Sequence, residues 1–412
     1  MFPELRKPNI WICTALLIPF CKPVGIDYYP LLDKLFFLWK LAALVYLMLA
    51  VAQHILFDFK HWKTADDKRK LIGALGLGLF WLIYFVGCLT EGVNIVSVGT
   101  DALGCALLLV FITGQIRTGR GQKLLQAMAM LFSVYIVLYV LSVVLVRLGW
   151  IRFSDTEPHT FYLFGYDNYS AFFLYPMLSV VLFYRHIRFG KIDAVGYGLT
   201  AMLVLCYLLT ASMTAAGAGV LMVVLLLTRE RWKRFYRIVD VKWILVAMTV
   251  FLVAICVFHV QNLLAFLLDA MQKGVTLNSR TFIWDCALDL IAEKPIFGYG
   301  TFTKQQIDSL VLFGTTHAHN LLLDLLLCAG AVGTAGYILF LCLGVPARRL
   351  KEKVNTAACV LLIGLLIQLV LFTMDFYPNI YVFYCFMAVL YNSDLLLAPQ
   401  KDGELPKMEE NH

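Results

Sequence analysis

Two side chains suited to group transfer stand in one polar stretch of the chain. His319 lies just before an apolar run, and an imidazole that is neutral near pH 7 can take a proton from an incoming hydroxyl. Arg280 lies earlier in the same stretch, and a guanidinium holds a phosphate through two parallel hydrogen bonds. Either residue alone is more often structural. The two residue types would provide a proton acceptor and a binding group for a phosphate.

His317 adds a second imidazole, which raises the question of a metal. The sequence His-Ala-His can bind a metal weakly, but zinc sites use three or four protein ligands, and no further ligand stands at a helpful spacing. The 11 cysteines lie mostly in apolar runs and show no paired zinc spacing. We therefore predict no metal and no cofactor, and we expect His317 and Asn320 to contact substrate.

A short helix is predicted to position Arg280. Asn278 or Ser279 can cap its N-terminus, the apolar residues that follow recur with helical spacing, and Pro295 ends the helix. Arg280 then stands where free backbone amides and the positive end of the helix dipole already attract anions. Trp284, one turn further on, is a predicted substrate contact.

The apolar run after His319 carries a carboxylate and several small residues. Asp324 is expensive to place in a membrane, so it is expected to face a cavity and orient the acceptor or His319. Asp101, in an earlier apolar run, is a predicted substrate contact on the same ground. A structural hydrogen bond between helices is the alternative for both carboxylates. Gly330, Gly333 and Gly336, together with Ala329, allow a neighbouring helix to approach closely.

The composition indicates that the chain as a whole is an integral membrane protein. Hydrophobic residues make up 61% of the 412 residues and charged residues 15%, and the mean hydropathy is +0.79, well above the balance of a soluble domain. About twelve helices of roughly 20 residues would use over half of the chain. These proportions exclude a cytosolic enzyme, a nucleic-acid module and a secreted disulfide scaffold. The predicted spans lie near residues 9–26, 35–57, 71–91, 93–114, 124–146, 161–184, 192–211, 214–228, 243–261, 320–346, 355–373 and 376–397.

The distribution of positive charge predicts which loops face the cytoplasm. Most of the 34 lysines and arginines fall in alternate loops, and such loops stay inside. Both termini are therefore predicted to be cytoplasmic. The chain divides into residues 1–260 with nine spans, an extracytoplasmic loop 261–318, three further spans over 319–397, and a cytoplasmic tail 398–412. Within the loop, residues 263–271 are apolar enough to lie along the membrane surface.

The spacing of the polar residues resembles the signature of the O-antigen ligase and O-antigen polymerase superfamily. The matching residues are Arg280, Trp284, the sequence Pro-Ile-Phe-Gly-Tyr-Gly at 295–300, His319, Asn320, Gly330 and Gly333. One large outer loop late in the chain extends the resemblance to the whole protein. Because His317 is followed by alanine, the His-Asn pair selects His319 as the histidine of the signature.

This resemblance implies a membrane-embedded glycosyltransferase with an all-α, GT-C-like fold of about 12 transmembrane helices and one large extracytoplasmic helical loop. The donor would be a glycan on undecaprenyl pyrophosphate and the nucleophile a sugar hydroxyl. By the same resemblance His319 is the general base, Arg280 holds the pyrophosphate, and attack opposite the leaving group inverts the anomeric centre. Pyrophosphate leaves readily once its charge is countered, so metal and nucleotide are not required.

One position departs from the family pattern. Many relatives carry Ser-Arg after an apolar span and a threonine, whereas this chain reads Thr-Ala-Ser-Met at 210–213. A second cation near the phosphates is therefore missing or displaced. Arg147 or Arg152, near the outer end of the fifth span, is predicted to replace it, with anchoring at the membrane interface as the alternative. Asn168, which opens the apolar part of the sixth span, is a further predicted substrate contact.

The leading functional prediction is a polymerase that joins repeat units on polyprenyl pyrophosphate during assembly of a cell-surface polysaccharide. A ligase that moves finished glycan to lipid A core or another acceptor is the alternative, and a lipid-linked oligosaccharide flippase is a third class. The expected location is the bacterial inner membrane, with an extracytoplasmic active site. The expected partners are an undecaprenyl-pyrophosphate-linked glycan, membrane lipids, a flippase and a chain-length regulator, and no nucleic acid.

Overall fold

The computed structural model describes residues 9–58, 65–92, 95–153, 160–229, 231, 241–256, 280–302, 309, 312, 315–343 and 356–397. These residues are almost entirely helical, apart from loops and one antiparallel hairpin of strands β1 (Phe161–Tyr162) and β2 (Gly165–Tyr166). The α-helices are α1 (Ile10–Leu17), α2 (Pro30–Asp58), α3 (Ala65–Thr90), α4 (Ile95–Gln115), α5 (Gly121–Arg147), α6 (Asp167–Phe189), α7 (Ala194–Leu209), α8 (Met213–Thr228), α9 (Val241–Cys256), α10 (Arg280–Glu293), α11 (Leu321–Leu343), α12 (Thr356–Phe372), α13 (Tyr381–Tyr391) and α14 (Ser393–Leu396).

Several of these helices can cross a membrane. Five helical stretches are long and apolar enough to do so, and six shorter apolar helices accompany them in the described ranges. The longest stretch, Ile95–Arg147, has 53 residues, far more than the roughly 20 that one crossing needs. Gly119, at φ 79°, interrupts it, so that α4 and α5 are separate helices joined by a π-helical turn. The prediction of an all-α membrane protein is confirmed, while the number of twelve crossings stays a prediction.

Two of the predicted spans begin with a segment that is not helical. The run 161–184 starts with the hairpin, and α6 begins only at Asp167. Gly165 has φ 95°, a conformation that glycine adopts without steric cost and that a helix excludes. The last run, 376–397, starts with a loop before α13. The apolar pattern placed both starts too early because it reports burial and not backbone conformation.

Helices α3 and α11 cross with their backbones in contact. A Cβ atom at Gly76 would meet the carbonyl oxygen of Gly336, and a Cβ atom at Gly336 would meet that of Gly76. This approach brings the ring of Phe80 to 5.0 Å from the ring of Tyr337. The expectation that the small residues of this span admit a neighbouring helix is confirmed at Gly336.

Helix α11 is broken by an inserted loop. Gly330 has φ 57° and ψ −167°, a combination found essentially only in glycine. Residues 295–300 fill the break and share four backbone hydrogen bonds of 2.7 to 3.2 Å with residues 327–332. These bonds satisfy backbone groups that a break within the membrane would otherwise leave unpaired. They also hold the end of α10 against α11, so that the helix carrying Arg280 has a fixed position beside the one that follows His319.

Candidate functional site

One carboxylate binds both histidines. Asp375, in the loop between α12 and α13, is 5% exposed. His317 Nε2 donates to Asp375 Oδ1 over 2.7 Å, and His319 Nδ1 lies 3.3 Å from the same oxygen. The centroids of the two imidazole rings are 4.1 Å apart. The carboxylate is itself held in place, because Phe376 N donates to Oδ1 over 3.0 Å and Tyr377 Oη donates to Oδ2 over 3.1 Å.

A second carboxylate fixes the backbone around His319. This residue has φ 54°, a left-handed conformation that costs a residue other than glycine about 1 kcal/mol or more. Asp324, in the first turn of α11 and 2% exposed, accepts from Ala318 N over 2.5 Å and from Asn320 N over 3.1 Å. Because these two amides flank His319, Asp324 stabilises the turn that presents the imidazole. Of the roles predicted for Asp324, the structure favours orientation of His319.

Asn320 and Trp284 support the same turn. Asn320 Oδ1 accepts from Leu322 N over 3.0 Å and so caps α11, while Nδ2 donates to Thr373 O at the end of α12 over 3.2 Å. Trp284 is 1% exposed, and its Nε1 donates to Ala318 O over 2.8 Å. Both side chains therefore have partners within the protein. Their predicted contact with substrate stays a prediction.

Arg280 reaches the loop of Asp375 from the first residue of α10. Its Nη1 donates to Met374 Sδ over 3.2 Å, and thioether sulfur is a weak acceptor. Among the described residues, no carboxylate forms an ion pair with Arg280. Burial lowers the pKa of this guanidinium, although the negative charge of Asp375 raises it in part. Arginine nevertheless stays protonated in proteins. Within the described ranges, its five N–H donors have Met374 Sδ as their hydrogen-bond acceptor.

The two histidines have opposite shifts in pKa. Burial is the largest cause in both and lowers the pKa. For His317, the hydrogen bond to Asp375 and the negative charges of Asp324 and Asp375 outweigh burial and raise the pKa. For His319, burial and the positive charges of His317 and Arg280 all lower the pKa. Together they outweigh the contact with Asp375, which raises it. The environment thus favours a cationic His317 beside a neutral His319.

The histidines and Asp375 are also the residues that could hold a metal. One donor atom from each of His317, His319 and Asp375 lies within 4.8 Å of the other two, so the fold supplies the third donor that sequence spacing does not show. His317 already donates to Asp375, and the positive charge of Arg280 acts on both histidines. These contacts favour a hydrogen-bonded cluster over a metal centre, and the absence of a metal stays a prediction.

The turn that departs from the family pattern has its own polar contacts. Arg147 Nη2 donates over 2.9 Å to the carbonyl of Leu209, the residue just before the turn at 210–213. Ser212 Oγ within the turn lies 2.6 Å from Asn168 Oδ1. Arg147 and Asn168 therefore both lie beside the position of the missing arginine. Arg152 is exposed in the loop after α5, and its part in binding the donor stays a prediction.

Asp101 belongs to a different polar cluster. Lys40 Nζ lies 2.8 Å from Asp101 Oδ1, Tyr381 Oη donates to the same oxygen over 2.5 Å, and Asn379 Nδ2 donates to Oδ2 over 3.2 Å. The carboxylate thereby joins α2, α4 and the start of α13, as the structural alternative requires. Its contact with an acceptor stays a prediction.

Sequence spacing does not reveal Asp375 and Tyr377. Both stand in Met-Asp-Phe-Tyr-Pro between the last two apolar runs, where they resemble ordinary interfacial residues. The available signal was a carboxylate directly adjoining two spans, which is costly without a partner. Its partner His317 is distant in sequence, so only the packing of the helices brings the two together.

These features define a multi-pass, all-α membrane protein with a candidate group-transfer site at one end of its helices. A family model described as O-antigen ligase matches residues 197–338, a range that contains Arg280 and His319 but not Asp375. The match covers part of the chain and supports the resemblance to the O-antigen ligase and O-antigen polymerase superfamily that the residue pattern indicates. No curated protein and no solved structure matches the chain.

Proposed function

We propose that the protein is a metal-independent, inverting glycosyltransferase that moves a glycan from undecaprenyl pyrophosphate to a sugar hydroxyl. Its site faces the extracytoplasmic side of the bacterial inner membrane, opposite the basic loops. One observation carries the proposal: a histidine with a lowered pKa and an arginine without a carboxylate partner among the described residues both adjoin the loop of Asp375. Base and anion site are thus side by side.

His319 acts as the general base. Its Nδ1 is buried beside Asp375, the side chain as a whole is partly exposed, and its Nε2 has no hydrogen-bond partner in the described part of the chain. Nε2 takes the proton of the acceptor hydroxyl, and the oxygen forms a bond to the anomeric carbon of the donor. The bond from that carbon to the phosphate oxygen breaks, and its electron pair leaves with undecaprenyl pyrophosphate. The proton then passes from His319 to solvent or to the departing diphosphate.

Arg280 stabilises the negative charge that develops on the leaving group. Its position at the start of α10 combines the guanidinium with the positive end of the helix dipole, and an anion held by both is favoured in a partly buried site. Arg147 is the second cation, because it lies at the turn where relatives carry an arginine. Both residues act as electrostatic groups, so no metal is needed to counter the diphosphate.

Repeat-unit polymerisation is the leading form of this reaction. It is supported by the altered turn at 210–213 and by the modest size of the loop 261–318. The description of the matching family, O-antigen ligase, favours the second form, transfer of finished glycan to lipid A core or another acceptor. A flippase would place polar groups along many spans from both sides. Here the two histidines, Asp375 and Arg280 lie at one end of the helices, and the buried charges at the other end pair with each other, Lys70 with Asp394 and Arg117 with Asp67.

A single reconstitution tests the proposal. Purified protein in lipid is incubated with a synthetic undecaprenyl-pyrophosphate repeat unit alone, and the products are separated by size. Lengthening supports a polymerase, and a product that forms only after a second glycan acceptor is added supports a ligase. The matched control is His319→Ala protein prepared in the same way. If folded wild-type protein transferred glycan to none of the acceptors, the proposal would be overturned.

A further inference from the structure

Four aromatic side chains lead from the histidines to the surface. The ring of Tyr377 lies 4.8 Å from that of His317, and Tyr377 Oη is 3.1 Å from Tyr166 Oη. The ring of Tyr166 lies 6.0 Å from that of Phe161, which lies 5.5 Å from that of Tyr28. We call Tyr377, Tyr166, Phe161 and Tyr28 the aromatic row. Its first three members are partly exposed and the last is 39% exposed.

The hairpin explains how the middle of the aromatic row is presented. Phe161 pairs with Tyr166 across the strands, and Tyr162 pairs with Gly165. Successive side chains in a strand point to opposite faces. Tyr162 is fully buried in the core, whereas Phe161 and Tyr166 share the other face and remain partly exposed. The hairpin therefore anchors one face in the protein and displays two rings on the other.

The rings are held rigidly from behind. Tyr169 stacks on Tyr166 with the ring centroids 5.6 Å apart and the planes at 21°. Gly25 N donates to Leu163 O over 2.8 Å, which ties the short helix Val24–Tyr28 to the hairpin. Rigid aromatic rings provide contact area at a low cost in conformational entropy. The aromatic row is thus a preformed surface.

Charged residues beside Tyr28 distinguish this end of the row from a lipid-facing belt. Lys22 forms ion pairs with Asp27 and Asp33, whose carboxylate side chains are 50% and 45% exposed. Asp27 directly precedes Tyr28. Acyl chains exclude such charges, whereas a saccharide offers apolar C–H faces to aromatic rings and hydroxyl groups to carboxylates.

We propose that the aromatic row is the subsite for the acceptor saccharide. The terminal sugar lies at Tyr377, where its hydroxyl reaches His319, and the following sugars pack along Tyr166, Phe161 and Tyr28. The row begins at the site of the transfer reaction and ends at a polar surface. This path suits an oligosaccharide whose far end continues into solvent or towards its lipid carrier. This inference rests on the proposed function, because the row has an acceptor only if the site transfers glycans.

The test compares acceptors of different length. The long acceptor is the oligosaccharide released by mild acid from the lipid-linked pool of the producing cells, and the short acceptor is its terminal sugar alone. For each, kcat/KM is measured with the lipid-linked donor held saturating. Phe161→Ala and Tyr28→Ala are expected to lower the ratio of long-acceptor to short-acceptor kcat/KM by roughly 5- to 20-fold. Phe161→Tyr should restore the ratio.

Trp150→Ala is the matched control. Trp150 is 74% exposed in the loop after α5 and is not a member of the row, so its loss should leave the ratio unchanged. An unchanged ratio in both row variants, or an equal fall in the control, would overturn the inference.

Binding without catalysis separates this inference from the proposed function. Saturation-transfer NMR with the free long oligosaccharide should show signal with wild-type and Trp150→Ala protein, and a weaker signal with Phe161→Ala. Wild-type protein that binds the oligosaccharide but transfers no glycan would contradict the proposed function alone. Transfer by wild-type protein, with equal binding by all variants, would contradict the aromatic row alone.

Discussion

Replacing Asp375 with asparagine should separate the base from the groups that orient it. Asparagine keeps the shape of the side chain but has one acceptor oxygen in place of two and no charge. In the wild-type protein the carboxylate accepts from His317, Phe376 and Tyr377 and lies 3.3 Å from His319 Nδ1. The variant therefore loses the charged partner of both imidazoles while the surrounding loop can keep its backbone.

The size of the effect follows from the lost hydrogen bond. A hydrogen bond to a charged group contributes about 1.5 to 3 kcal/mol, and each 1.4 kcal/mol corresponds to about a factor of ten in rate when the interaction supports the transition state. We expect kcat near pH 7 to fall about 10- to 100-fold in Asp375→Asn. The loss arises from the position of His319 and not from its protonation, because its pKa is already lowered in the wild-type protein.

The pH profile gives a second readout with a defined sign. Transfer needs neutral His319, so the rate rises as pH increases through the pKa of this residue. Asp375 raises that pKa through its close contact with the ring and its negative charge, and these contributions outweigh the opposing charge of His317. Removing Asp375 should therefore lower the pKa of His319 further and move the acid limb of the profile to lower pH.

Single-turnover transfer from the lipid-linked donor, measured from about pH 5 to about pH 9, tests both expectations. Asp193→Asn is the control, because Asp193 pairs with Arg185 at the far end of α6 and caps α7, and asparagine caps helices equally well. A wild-type rate in Asp375→Asn, or an acid limb that moves to higher pH, would refute the role assigned to this carboxylate.

Four further perturbations address other parts of the site. His319→Ala should lower kcat about 10²- to 10⁴-fold without changing the thermal unfolding temperature in detergent, and unchanged product length would reject it as the base. Arg280→Lys keeps the positive charge but loses the two parallel N–H donors of the guanidinium, so kcat/KM for the donor should fall roughly tenfold. A normal value would argue against bidentate diphosphate binding. Dialysis against a chelator should leave transfer intact, whereas a loss that zinc reverses would show a required metal. Gly330→Ala should destabilise the fold by about 3 kcal/mol, because Gly330 has a positive φ and a Cβ atom there would meet the backbone of Ile296. Gly78→Ala is the control, because a Cβ atom at Gly78 meets nothing within 4 Å. This variant should change stability by less than about 1 kcal/mol.

The sequence predicts most of the fold because the membrane imposes simple rules. A helix satisfies its own backbone hydrogen bonds, so each long apolar run is expected to be helical, and the described helices other than α10 lie within or close to those runs. The same rules contain no information on the hairpin at 161–166 or on the break at Gly330. The glycine-rich sequence at 295–300 predicts a turn, but its insertion into α11 depends on long-range backbone contacts.

The candidate site is predictable in part for a similar reason. Arg280 and His319 are recognised by spacing along the chain, since each stands at a helix start next to a recognisable sequence. Asp375 is not part of that spacing, and it stands in a loop beyond the range of the family match. A carboxylate that binds two imidazoles across the fold is specified by the packing of α12 and α13. Local sequence shows only that a costly charge must have some partner.

The two histidines make a single functional unit because they share one carboxylate unequally. His317 lies 2.7 Å from Asp375 Oδ1 in a hydrogen bond, whereas His319 lies 3.3 Å from it without one. The closer ring has the raised pKa. Burial lowers the pKa of the other ring, and the positive charge of His317, 4.1 Å away between centroids, lowers it further. Separating the pKa values of neighbouring groups assigns them different chemical roles. The left-handed turn that Asp324 stabilises holds His319 where its Nδ1 lies 3.3 Å from Asp375 Oδ1, and in the proposed reaction its Nε2 meets the acceptor hydroxyl.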